Sequence, residues 1–175
     1  TQQNYDTKFN MAVKAETEKD YITAQRLYYE CLTEADRFRD CAIQTQLGID
    51  GNKRCEIPAK YQKDLITCKK KATQLNYTEA TQDYIRLGDF FTQNKLETFG
   101  LVHPSLLQFF QNYGTDFMRF GADYFTKNNE PDQAFVLLTE LMYKNDARSS
   151  TKKTQQLLAK EMALRDFKVN PNFDY

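Results

Sequence analysis

The chain has 175 residues, 41% hydrophobic and 27% charged, and its 24 Lys and Arg balance 24 Asp and Glu. Such a composition belongs to a folded globular chain long enough to bury a substantial core. A formal net charge of zero argues against nucleic acid, whose phosphates call for a basic excess, and no apolar run reaches the roughly 18 residues that span a membrane.

Six Gly and four Pro leave few turns, so the expected elements are long helices rather than short strands. A first helix is predicted over 4–18 and a second over 21–47, stopped by Gly48. The run Gly48-Ile49-Asp50-Gly51-Asn52 reads as a turn, with a loop to Pro58, which opens a third helix over 58–74. A fourth helix is predicted over 77–98, ended by Gly100 and Pro104. A fifth over 105–128 carries Leu106, Phe109, Phe110, Tyr113, Phe117, Phe120 and Tyr124 at helical period. Pro131 opens a sixth over 131–145, and Ser149-Ser150-Thr151 precede a seventh over 151–167. Together these make a single helical domain over 1–167, followed by a tail or linker over 168–175. The start at Thr1 rather than Met is read as a trimmed or processed product.

The four cysteines nest around the predicted turn, Cys41 and Cys55 inside, Cys31 and Cys68 outside. Two antiparallel helices joined at 48–51 would bring Cys31 to Cys68 and Cys41 to Cys55, the nested pairing among three available ones. Buried free thiols are the alternative. Metal ligation has no support, because no Cys-x2-Cys or His-Cys cluster exists. The layout also resembles twin Cys-x9-Cys helical hairpins, whose outer and inner disulfides match the nested pairing. Disulfides imply an oxidising compartment: a secreted protein of the periplasm or outer-membrane face, with the mitochondrial intermembrane space as the alternative.

Three segments resemble one another. They begin at Asp20, Asn76 and Glu130, and each places a small Ala four residues on: Ala24, Ala80, Ala134. Tyr28, Tyr84 and Leu138 follow at the next turn, then Cys31, Leu87 and Leu141. Spacings of four and three put these side chains on one helical face. Twelve residues before each Ala stands another small residue: Ala12, Cys68 and Ala122. The pattern resembles the tetratricopeptide repeat, and Phe120-Gly121-x-x-Tyr124 is similar to that family's Leu-Gly-x-x-Tyr. The three Ala lie 56 and 54 apart rather than at the family's shorter period, so longer helices or joins are expected.

The resemblance implies an all-α, right-handed array of stacked antiparallel hairpins with a C-terminal capping helix. It implies a noncatalytic protein-protein interaction scaffold whose first helices line a groove at Asp6, Phe9 and Val13, at Gln62, Leu65 and Lys69, and at Asp116, Arg119 and Asp123. The mixed charge of that set suits a protein or peptide partner and implies no cofactor. The family's Lys and Asn clamp for a C-terminal carboxylate is not reproduced. The runner-up is a structural accessory subunit of a large complex, membrane-associated or mitochondrial.

No residue constellation suggests an enzyme. The sole histidine, His103, stands at a helix break in Leu-Val-His-Pro without a nucleophile elbow nearby. Of the adjacent aromatic pairs Tyr28-Tyr29, Phe90-Phe91 and Phe109-Phe110, one ring is expected in the core and one at the surface, with Tyr29 and Phe91 the candidates for a partner surface.

Overall fold

A computed structural model describes residues 2–35, 42–144 and 149–169. They form eight α-helices: α1 (Gln2–Thr17), α2 (Tyr21–Ala35), α3 (Ala42–Thr73), α4 (Tyr77–Gln93), α5 (Leu106–Gln111), α6 (Thr115–Lys127), α7 (Pro131–Tyr143) and α8 (Ser149–Val169). A 3₁₀ turn over Leu96–Phe99 follows α4. The described residues are all-α with no strand, the expected class. Among them no helix is long and apolar enough to cross a membrane.

Three helix-to-helix joins share one geometry. Lys19, Leu75 and Asn129 each adopt positive φ, at 64°, 67° and 57°. At each, the next residue's N–H reaches back five positions: Asp20 to Ala15 at 2.9 Å, Asn76 to Lys71 at 3.0 Å, Glu130 to Phe125 at 2.8 Å. This is the Schellman closure, which satisfies carbonyls that a helix end would otherwise leave open. The same Asp20, Asn76 and Glu130 carbonyls then accept the first bonds of the next helices, from Ala24, Ala80 and Ala134. All three alanines are fully buried, as are Ala12 and Cys68, with Ala122 nearly so. Tyr28, Tyr84, Leu138, Cys31, Leu87 and Leu141 are buried too. The periodicity read in the sequence therefore marks real core faces.

The chain divides into two compact units, Thr1–Lys70 with Gln82–His103, and Lys71–Thr81 with Pro104–Tyr175. In the first, Ala12, Ala15, Ala24, Leu27, Tyr28, Cys55 and Ala59 form one core cluster, and Tyr5, Cys31 and Ala35 a second, with Phe9 against both. In the second, α6 packs on α7 and α7 on α8. Its centre is a group of aromatic rings around Phe110 and Phe117, whose centroids lie 5.1 Å apart edge to face, a favoured aromatic geometry.

Three predicted elements are corrected. The second helix, expected over 21–47, is α2 over Tyr21–Ala35, and residues 42–47 belong to α3; residues 36–41 lie outside the described ones. The expected turn at Gly48–Asn52 and the loop to Pro58 are helix, part of the 32-residue α3. The glycines serve packing: a β-carbon on Gly48 would lie 2.8 Å from Leu32 Cδ2, and one on Gly51 would fall within 2.6 Å of the Tyr28 ring. They form a notch that lets α2 approach, and Pro58 is buried within the same helix. The predicted single helix over 105–128 is instead α5 and α6, parted at Gly114, whose φ of 95° few other residues adopt. Ser105 caps α5 in a reciprocal capping box with Gln108. The break lets Phe110 fold back over Gly121, where a β-carbon would meet Phe110 Cδ2 at 2.6 Å.

Candidate functional site: the groove between α2 and α3

Within the first unit α2 and α3 run antiparallel. The backbone N–H of Tyr21 donates to Gln62 Oε1 at 2.9 Å, and Gln62 Nε2 donates to the Lys19 carbonyl at 2.8 Å. Further along, Asn52 Nδ2 donates to the Gln25 carbonyl at 3.3 Å, and the Tyr28 ring covers Gly51. These ties seat the two helices in a fixed register.

Behind that interface stands a charged triad. Arg54 Nε and Nη2 donate to the two carboxylate oxygens of Glu16 at 3.0 and 3.1 Å, and Tyr28 Oη donates to Glu16 Oε2 at 2.6 Å. The Arg54 guanidinium also lies 5.6 Å from the centre of the Tyr28 ring. Hydrogen bonding from Arg54 holds the Glu16 carboxyl below its ordinary value despite partial burial. Burial, then the bond to Glu16, pushes the Tyr28 phenol well up. The triad braces α1, α2 and α3 from one side and leaves the opposite side open.

On the open side run two adjoining recesses that share Ile22. One, of ≈ 330 Å³, is lined by Glu18, Lys19, Asp20, Ile22, Gln62, Leu65, Ile66 and Lys69. The other, of ≈ 480 Å³, is lined by Ile22, Gln25, Arg26, Tyr29, Asn52 and Lys63. Tyr29 is 65% exposed and Ile66 60% exposed, so two large apolar side chains stand open to solvent along one helix seam. Arg26 pairs with Glu30 at 2.8 Å, while among the described residues no carboxylate pairs with Lys63 or Lys69.

A third recess, of ≈ 340 Å³, lies between α3 and α4. Its charges neutralise one another: Lys60 with Asp64 at 2.7 Å and Arg86 with Asp83 at 3.5 Å. It presents little net field to a ligand.

The sequence-predicted groove residues scatter. Gln62, Leu65 and Lys69 do line one recess together. Asp6 is exposed on α1, and Phe9 is a core ring, stacked on Tyr5 at 5.7 Å and edge-on to Tyr28. Asp116, Arg119 and Asp123 belong to the second unit. There the two aspartates are exposed, and Arg119 Nη1 donates to Thr151 Oγ1 at 3.1 Å. Tyr29 is at the surface and Tyr28 in the core, as expected. Phe109 and Phe110, by contrast, are both buried, because the two-helix arrangement gives each a ring to pack on. Phe91 is half-buried, 5.4 Å from Tyr61. Ile22, Arg26, Lys63 and Ile66 carry no groove signal in the sequence, since their meeting depends on the α2–α3 register.

The nested cystines are corrected as well. Cys31, Cys55 and Cys68 are buried thiols held in no disulfide; Cys41 lies outside the described residues. Cys31 stands at the level of Gly48 on α3, and Cys68 is 20 residues further along the same helix, about 30 Å away at helical rise. Burial pushes the Cys31 thiol up to about 11 and the Cys55 thiol up to about 12, which keeps both protonated and inert at neutral pH.

His103 packs inside the first unit. Its ring stacks on Tyr84 at 4.2 Å, and its Nδ1 shares a hydrogen bond with Tyr61 Oη at 2.8 Å. It is also hydrogen-bonded to the Tyr84 backbone in the sense that makes the ring the donor there, which leaves Nδ1 of the neutral ring to accept from Tyr61. Gly88 leaves the space for this, since a β-carbon there would sit 3.1 Å from Nε2. Burial holds the imidazole below its ordinary value, in the neutral form that these bonds need.

No protein-family model matches the chain, and neither does any curated protein or solved structure.

Proposed function

We propose that the chain is a noncatalytic, tetratricopeptide-like interaction scaffold whose partner is another protein. The observation that carries this reading is the α2–α3 groove, where Tyr29 and Ile66 stand largely exposed beside Lys63 and Lys69, which pair with no carboxylate among the described residues. Apolar side chains held open on a rigid, well-tied helix pair are a surface waiting to be covered. The repeated hairpin joins support the repeat-like class, since each helix pair closes in the same way and buries the same small residues. The proposed extracytoplasmic setting, periplasmic or intermembrane, has no cystine among Cys31, Cys55 and Cys68 to support it.

The second reading, an accessory subunit covered on several faces, draws on other exposed apolar residues: Ile43, Val102, Tyr143 and Leu157. Photo-crosslinking residues placed singly at Tyr29, Ile66, Tyr143 and Leu157 in the native host separate the two. The scaffold predicts saturable capture of one protein species from Tyr29 and Ile66. Capture from every site, with no free monomer, would favour the subunit, and capture from none would sink both.

A further inference from the structure

We propose that the α2–α3 groove receives an acidic amphipathic helix of a partner protein, an inference that rests on the scaffold reading and names its occupant. The groove offers two apolar seats, one against Ile22 and Ile66 and one against Tyr29. Ile22 and Tyr29 are seven residues apart on one helix, so the seats lie about 10 Å apart. Two anchors separated by two helical turns match that span, the spacing by which amphipathic helices enter grooves.

Charge selects the sign of the ligand. Lys63 and Lys69 reach the groove from α3 with no carboxylate partner among the described residues, and Lys19 borders one end. The facing carboxylates are Glu18 and Asp20, and both keep their charge, since Asp20 Oδ1 accepts only the neutral Thr23 N–H at 3.1 Å and Glu18 stands 4.0 Å from an exposed Lys14; three lysines thus face two carboxylates across the lining. The chain as a whole has zero net charge, so a local surplus of lysine here is not a reflection of composition. Beside half-desolvated apolar seats, that surplus favours acidic side chains between the anchors and repels basic ones.

The test uses the whole chain and two labelled helical peptides read by fluorescence anisotropy. One carries leucines about two helical turns apart with glutamates between them; the other has lysine in place of each glutamate. The acidic peptide should bind saturably, more weakly as salt rises, and its lysine counterpart should not. Tyr29→Ala with Ile66→Ser, and separately Lys63→Glu with Lys69→Glu, should each weaken binding by about tenfold or more. All four side chains are exposed, so the variants should keep the parent's unfolding midpoint. Equal binding of both peptides, failure to bind the acidic one, or unchanged affinity in the variants overturns the proposal. Saturable capture of one protein species from Tyr29 and Ile66 in the host, with neither peptide bound, leaves the scaffold standing and removes this occupant alone.

Discussion

The ring of Tyr28 occupies the space that a β-carbon on Gly51 would fill, and this contact sets how closely α2 approaches α3. Alanine at a mid-helix glycine ordinarily gains about 1 kcal/mol of helix propensity. At Gly51 that gain meets a fully buried ring, already bonded through its hydroxyl to Glu16, and overpacking costs about 1–3 kcal/mol. Gly51→Ala should therefore lower stability. Gly48→Ala, which would face the tip of the Leu32 side chain at 2.8 Å and the Tyr28 carbonyl oxygen at 3.3 Å, should lose less than Gly51→Ala. Denaturant unfolding of both variants decides, and a Gly51→Ala protein as stable as Gly48→Ala would contradict the packing account.

The thiols give a second check. Cys31, Cys55 and Cys68 are fully buried, so peptide mapping should find all three unalkylated in native protein and labelled after denaturation. For Cys31 and Cys55 the folded values, about 11 and about 12, lie above the ordinary 9.0. The folded state keeps its thiol protons where the unfolded state gives them up. Their stabilising contribution is thus whole below about pH 9 and is lost as pH rises through the folded values. A peptide linked through Cys31 and Cys68, or fast native labelling at these positions, would rule the arrangement out.

Much of this fold was legible in the sequence, and the failures share one cause. The spacing from Ala24 to Tyr28 to Cys31, repeated from Ala80 and Ala134, depends only on helical geometry, and those faces are buried as read. Gly48 reads as a helix stop and Gly51 as part of a turn because glycine locally permits both, but their role is fixed by Tyr28 and Leu32, distant in sequence. Moving the turn displaced the α2–α3 register by about 20 residues, or about 30 Å. With it went the cysteine pairs and the meeting of Ile22 with Ile66. Gln62 and Lys69 survived because their place in the groove needs only their own helix face. Gly114 is the reverse case: one glycine inside a strong aromatic period does not read as a break, yet its positive φ splits the helix.

His103 should make stability pH-dependent on the acid side. Its folded value lies below the ordinary 6.5 because burial penalises the imidazolium, and protonation would also remove the acceptor for Tyr61 Oη. The unfolded state therefore binds the proton first. The contribution is fully present above about pH 6.5 and is lost as pH falls toward the folded value. His103→Phe keeps an aromatic ring on Tyr84 and removes the titration, so its stability should vary less between about pH 7.5 and about pH 5.5. Parallel pH slopes for parent and variant in urea unfolding would exclude His103 as the source.

Leu75 tests the join between α3 and α4 directly. It holds φ 67° while its side chain is largely exposed, so it bears the left-handed penalty without burying much in return. That penalty is about 1–2 kcal/mol for a residue with a β-carbon, against roughly 0.5–1 kcal/mol of extra chain entropy lost by glycine. Leu75→Gly should therefore raise stability by up to about 1 kcal/mol, while Leu75→Ala, which keeps the β-carbon, should not. Lys19 holds the same conformation between α1 and α2, but its side-chain methylenes lie against Gly100, and glycine there gives up that contact. The gain from Lys19→Gly should be the smaller of the two. Equilibrium unfolding of the three variants measures both differences, and a Leu75→Gly protein less stable than Leu75→Ala would show that the join is not closed as described.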